Sequence, residues 1–313
     1  MKPDFEALAA CRVLVVGDAM LDRYWFGEVE RVSLEAPVPI VRVERSEERL
    51  GGAANVARNV AAVGAQAALL SVVGQDEAGN SIRRMTADSG IDSRLHVDAA
   101  LATTVKLRVI GRQQQMLRVD FENMPEAETL VALLDSYSTL LKDHQLVLLS
   151  DYGKGGLSHI VRMIGLAAKA DRPVLVDPKG DDYTRYKGAT LLTPNRTELR
   201  QVVGRWRDEA DLTHRAQALR KDLELQSLLL TRSEEGMTLY MADGQWSYPA
   251  QAREVFDVSG AGDTVIAVLA AMLGAGVSMR DAVAIANRAG GIVVGKFGTA
   301  TVSSEELFGT SES

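Results

Sequence analysis

Short apolar runs alternate along this chain with segments whose apolar residues recur every three or four positions. Runs at residues 12–16, 67–73, 145–150, 173–177, 189–193 and 227–231 are strand-sized and rich in Val and Leu, so they read as buried strands. Amphipathic spacing predicts helices over 53–63, 77–89, 125–141, 157–170, 196–203, 208–222, 262–273 and 278–294. This alternation predicts an α/β fold: a mostly parallel central sheet covered by helices on both faces, in three layers. Two stretches break the rhythm. Residues 24–44 and 103–121 read as strands with no helix between them, and Val105-Lys106-Leu107-Arg108 alternates apolar with polar, as in a half-exposed sheet. They predict one small antiparallel flap, formed by about residues 22–46 and 101–122 and folded over the end of the sheet. The whole, 1–313, reads as a single domain, with a frayed tail from Ser304.

Composition narrows the function. At 313 residues the chain has room for one large α/β domain. Its net charge of −7 argues against nucleic-acid binding, which needs a basic footprint. Cys11 is the only cysteine, so neither a disulfide nor a cysteine zinc site can be built, and its apolar setting suggests core packing. No stretch reads as a membrane span, and the start has neither a secretory nor a transit pattern, which leaves the cytoplasm as the expected compartment.

The most informative segment is Asp257-Val258-Ser259-Gly260-Ala261-Gly262-Asp263-Thr264, which opens a helix rich in small residues. Glycines let backbone amides converge on an anion, and a helix N-terminus adds unsatisfied donors and a favourable dipole. Asp263 at that terminus suits a base that takes a proton from a hydroxyl while the amides stabilise a moving phosphoryl group. The bland alternative is a helix cap. A rival motif, Gly290-Gly291-Ile292-Val293-Val294-Gly295-Lys296, matches a P-loop but is followed by Phe297 where Ser or Thr would hold magnesium. It reads better as a glycine cap ending a helix. No GxGxxG follows a strand, which removes the main support for a dinucleotide site.

The Asp257–Thr264 segment closely resembles the C-terminal signature of the ribokinase-like (PfkB) sugar kinases, and the resemblance extends over nearly the whole chain. It implies a ribokinase-like fold, ATP as co-substrate, Asp263 as the base and Gly260, Ala261 and Gly262 as the anion hole. Gly51-Gly52-Ala53-Ala54-Asn55 resembles the family's N-terminal glycine signature. It implies substrate contacts from Gly51, Gly52 and Asn55, with Asn59 structural. Asp18 and Asp22, after the first strand, suit sugar hydroxyls. Asn195 and Glu198 match the family's Asn-x-x-Glu motif, which organises Mg2+ through water; a capping box is an equally compatible reading. Thr231, Ser233, Gly236 and Asn287 match nucleotide contacts. Asp257, with carbonyls near Gly298, matches a monovalent cation site that would take K+.

Within that family, residues 21–27, 31–39, 150–155 and 177–180 closely resemble the members that phosphorylate the C1 hydroxyl of D-glycero-β-D-manno-heptose 7-phosphate. Leu34 stands where they have Pro. The resemblance implies cations for the distal phosphate. Lys106 and Arg108 share one strand face and suit that role; Lys179, after a strand, suits the transferred phosphoryl group. Many such kinases carry an adenylyltransferase with a His-x-Gly-His motif. His96, His144, His159 and His214 do not form it, so a stand-alone kinase is expected. The alternatives are a ribokinase-like kinase of another sugar phosphate or a nucleoside, or a sugar-binding regulator, in which a broken Gly-Ala-Gly-Asp would be expected. A homodimer joined through the flap is expected.

Overall fold

The computed structural model describes residues 3–112, 114–251 and 254–309. Its strands are β1 (Arg12–Gly17), β2 (Ala19–Val32), β3 (Pro39–Gly52), β4 (Gln66–Gly74), β5 (Asp92–Asp98), β6 (Val105–Gly111), β7 (Gln114–Phe121), β8 (Leu146–Ser150), β9 (Val174–Asp177), β10 (Leu191–Leu192), β11 (Ser227–Thr231), β12 (Met237–Met241) and β13 (Gly244–Tyr248). The α-helices are α1 (Phe5–Ala10), α2 (Ala53–Ala62), α3 (Glu77–Asp88), α4 (Ala127–Leu140), α5 (Ile160–Lys169), α6 (Arg196–Val203), α7 (Glu209–Asp222), α8 (Ala261–Gly274), α9 (Met279–Val293) and α10 (Ser304–Phe308).

Nine strands form the central sheet in the order β13-β12-β11-β10-β9-β8-β1-β4-β5. All pairs are parallel except at the β11-β12-β13 edge, which turns antiparallel. Each of the six runs read as buried strands lies in this sheet. In β1, Val13 and Val15 pack into one apolar core with α2, α8 and α9, while Leu14 and Val16 pack into the other with α4 and α5. Apolar residues on both sides of every pleat are what a sheet covered on both faces requires. Helix α8 is buried continuously from Asp263 to Met272. It packs so tightly on the body that a Cβ on Gly274 would lie 2.4 Å from Cys11 Sγ, which places Cys11 in the core as expected.

The second sheet has the order β3-β2-β6-β7. It is the flap, with one correction: the central pair β2/β6 is parallel, and only the outer pairs are antiparallel. Both β2 and β6 leave the body in the same direction, so they meet side by side, and the return strands β3 and β7 take the edges. The β2–β3 hairpin reaches further inward than the expected start near residue 22; its roots, from Ala19 to Asp22 and from Leu50 to Gly52, are buried. Leu34 is fully exposed in the connection between β2 and β3. The tail from Ser304 is not frayed as far as it is described. Ser303 and Glu306 form a capping box for α10, and Leu307 is buried.

Candidate active site

Gly260 is the N-cap of helix α8, and its φ of 74° is left-handed. A Cβ there would approach Asn55 Nδ2 to 3.0 Å and also crowd Thr299, so backbone and space both call for glycine. The Ala261 amide is taken by the Val258 carbonyl at 3.2 Å. The amides of Gly262 and Asp263 follow in the first turn, where helical geometry supplies no carbonyl partner. A Cβ on Gly262 would meet nothing within 4 Å, so this turn opens onto space.

Asp263 is only 4% exposed. Its Oδ1 accepts the Tyr152 hydroxyl at 2.6 Å, and its Oδ2 accepts Asn55 Nδ2 at 2.7 Å. Burial pushes its pKa up to about 6, against the pull of those two donors. The result is a carboxylate at neutral pH that is still basic enough to take a proton. Asn55 is held in turn by Asn59, whose Nδ2 donates to the Asn55 carbonyl at 3.0 Å, and Thr264 Oγ1 donates to Asn59 Oδ1 at 3.0 Å.

A cavity of about 610 Å³ opens beside this helix start. Its wall brings Gly260, Ala261, Gly262 and Asp263 together with Lys179, Asn195, Glu198, Thr231, Ser233, Gly236 and Asn287. Asn195 caps α6 by accepting the amides of Thr197 and Glu198, and Glu198 Oε2 accepts the Asn195 amide at 3.1 Å. Glu198 Oε1 lies 3.1 Å from Lys179 Nζ. Asp177 ends β9 in the same wall. Burial first, then Asp263 and Glu198, push its carboxyl well above the usual range. A half-buried acid beside two others is a setting that a cation would relieve. Among the described residues no cluster of three or more metal-ligating side chains exists, so Asp177 and Glu198 suit an ion that keeps water or phosphate as its other ligands, as magnesium does.

On the flap side, Arg108 Nη1 donates to Asp22 Oδ1 at 2.5 Å. Lys106 stands on the same face, its Nζ 5.3 Å from the centroid of the Tyr152 ring. Burial lowers the Lys106 pKa, and among the described residues its ammonium makes no ion pair. Asp263 and Tyr152 therefore stand between the large cavity and the flap.

The pfkB carbohydrate kinase family model matches residues 11–306. The chain belongs to the pfkB family of carbohydrate kinases. It is 58% identical over 306 residues to a D-beta-D-heptose 7-phosphate kinase of Bordetella bronchiseptica, covering 98% of both chains. It is 52% identical over 306 residues to the bifunctional protein HldE of Methylococcus capsulatus, covering 97% of this chain but 64% of that protein. The fold is that of an Arabidopsis thaliana ribokinase complexed with ribose and ATP (TM-score 0.76, 20% identity, 98% of each chain). It is also that of the phosphofructokinase-2 of Escherichia coli in complex with potassium (TM-score 0.81, 18% identity, 95% of this chain and 96% of that one).

In this pfkB kinase several expected residues turn out differently. Asp18, expected on substrate hydroxyls, spends its carboxylate on the amides of Tyr152, Lys154 and Gly156, at 2.9 to 3.0 Å. Packing by itself already requires glycine at Gly51 and Gly52: Cβ atoms there would lie 2.6 Å from Asp22 Oδ2 and 2.3 Å from the Asp18 carbonyl. Asp257 gives its two oxygens to the amides of Ser259 and Gly298, and beside it Arg49 Nη1 donates to the Phe297 carbonyl at 2.5 Å. Burial opposes the Asp257 charge, but those amides outweigh it and its pKa is lowered. The glycine cap expected after the false P-loop does not form. Val294 is the C-cap, while Gly290 and Gly291 stay in α9 and line the cavity. Two residues in the site, Tyr152 and Asp177, were not expected as site residues. Both follow or end a predicted strand at its C-terminal end, where open α/β sheets bind ligands, and that position was their signal.

Proposed function

We propose that this kinase transfers the γ-phosphoryl group of ATP to the C1 hydroxyl of D-glycero-β-D-manno-heptose 7-phosphate. The product is the 1,7-bisphosphate, a precursor of the ADP-heptose used in lipopolysaccharide core synthesis in the cytoplasm. The observation that carries this reading is the position of Asp263: a buried, doubly hydrogen-bonded carboxylate between an open helix N-terminus and a flap lysine that makes no ion pair among the described residues. The identity to the Bordetella heptose kinase supports the choice of sugar.

In this reading Asp263 accepts the proton of the C1 hydroxyl as the C1 oxygen attacks the γ-phosphorus and the bond to the bridging oxygen breaks, releasing ADP. The first-turn amides of α8 and Lys179 take up charge on the transferred group. Thr231, Ser233, Gly236 and Asn287 frame the nucleotide. Asp177 and Glu198 would hold a hydrated Mg2+, with Asn195 fixing Glu198, and that ion would screen phosphate charge. Asp257 stays ionised beside the carbonyls that would hold K+. Asp22 and Asn55 face the sugar, Asp18 acts through the loop it builds, and Lys106 with Arg108 takes the 7-phosphate. A homodimer forms through the flap. The test is an ATP-dependent transfer assay on a panel of sugar phosphates. Heptose 7-phosphate should be used far better than unphosphorylated heptose, with phosphate appearing on C1. Equal use of the two sugars would overturn the reading.

A further inference from the structure

Tyr152 is held in place more firmly than a pocket-lining side chain needs. The loop after β8 is organised around Asp18, which accepts its amides at Tyr152, Lys154 and Gly156. Asp151 accepts the Gly153 amide at 2.9 Å and the Tyr186 hydroxyl at 2.9 Å. Gly153 and Gly155 adopt φ of 69° and 96°, which lets the chain turn back twice within the loop. These bonds fix the backbone that carries Tyr152 and bring its hydroxyl within 2.6 Å of Asp263 Oδ1. Asn55 holds the other oxygen, so the carboxylate cannot rotate without breaking one of two charge-assisted bonds.

We propose that Tyr152 is a positioning residue for the phosphoryl transfer: its phenol fixes the orientation of the Asp263 carboxylate and stabilises its charge, leaving the remaining lone pairs for the acceptor hydroxyl. This rests on Asp263 being the base of the proposed reaction. The phenol is suited to the task because it cannot lose its proton at any working pH. Burial first, then the charge of Asp263, push its pKa well above the ordinary value. It is therefore always the donor in this pair. The other charged groups facing Asp263 are Asp22 from β2, which opposes its ionisation, and Lys106 from β6, which favours it. Asp177 at the end of β9 also acts on it by charge. With two neighbouring acids against one lysine, the hydrogen bonds from Tyr152 and Asn55 are what keep the base ionised in a buried position.

The test compares wild type with Tyr152→Phe, which keeps the ring and its packing. In the ligand-free protein, the carboxyl carbon of Asp263 is followed by NMR across pH, assigned by its loss in Asp263→Asn. The variant should titrate about one pH unit higher, the shift expected for losing one hydrogen bond to a charged group. In turnover, the acidic limb of kcat should move up with it. Activity at about pH 6 should fall roughly fivefold, activity at about pH 8.5 should stay within roughly threefold, and KM for ATP should be unchanged. Superimposable titrations of Asp263 in the two proteins would overturn the proposal. The NMR readout needs no sugar, so failure of the heptose assignment would show only in the wild-type transfer assay.

Discussion

A base in phosphoryl transfer has to be ionised and still want a proton, and Asp263 meets both demands through its surroundings. Burial raises its pKa to about 6, while Tyr152 and Asn55 stop the rise there. Replacing it by Asn keeps the shape and removes the base. Asp263→Asn should lower kcat at least ~10²-fold with KM largely kept; near-normal turnover would remove Asp263 from that role. The sign of the pH dependence follows. Below about pH 6 the carboxyl is protonated and cannot accept the hydroxyl proton, so kcat/KM should rise with pH up to that value and then level off. The limb should be absent from the residual activity of Asp263→Asn, which separates it from titration of the substrate phosphate. Asp263 and its glycines were legible in the sequence because their chemistry is contiguous, in eight residues opening one helix. Tyr152 was not, because its partner lies 111 residues away, and nothing local says that a tyrosine will meet a buried carboxylate. The amide partners of Asp18 were not legible for a similar reason. Its position at a strand end was legible, but the three amides that consume it belong to a loop 134 to 138 residues further on.

Among the elements, β6 links the flap to the chemistry. Its alternation turns Lys106 and Arg108 to one face, but they arrive there differently. Arg108 is bound to Asp22, whereas Lys106 has no carboxylate partner among the described residues. A half-buried ammonium with no direct ion pair is costly, and an anionic group on the substrate would relieve that cost. Lys106→Ala should therefore erode the preference for heptose 7-phosphate over unphosphorylated heptose, mainly by raising KM for the phosphorylated sugar. Measuring kcat/KM for both sugars in both proteins decides it; an unchanged ratio would take Lys106 out of phosphate recognition. The buried strands were legible as short apolar runs of strand length, and the amphipathic helices by their three-to-four-residue period. The β12–β13 edge was missed. Its strands are five residues each, and their antiparallel pairing is decided by the neighbour β11 rather than by their own pattern. The parallel β2/β6 pair was missed because strand direction is set by where both strands leave the body.

At the scale of the whole molecule, the active-site cavity and the flap have opposite needs. The cavity must open to admit two substrates, while the flap leaves β3 and β7 as sheet edges with unpaired backbone groups. Register shows which flap face is committed. Asp22, Lys106 and Arg108 point to the site; Trp25, paired with Val109 and through it with Leu117, points the other way, as does Phe121 opposite Val105. Trp25, Leu117 and Phe121 are 36%, 56% and 50% exposed. Three large apolar side chains on the outer face of a thin sheet with two open edges form a surface that a second copy would cover symmetrically. Pairing two flaps would hide the apolar face without blocking the opposite face that holds Lys106. The expected mass in solution at micromolar concentration is therefore that of two chains. Leu117→Glu places a charge in the middle of the covered face and should shift the mass toward one chain, because burying an unpaired carboxylate is costly. A wild-type protein that runs as a single chain at those concentrations would leave the outer face of the flap without a partner and end the dimer reading.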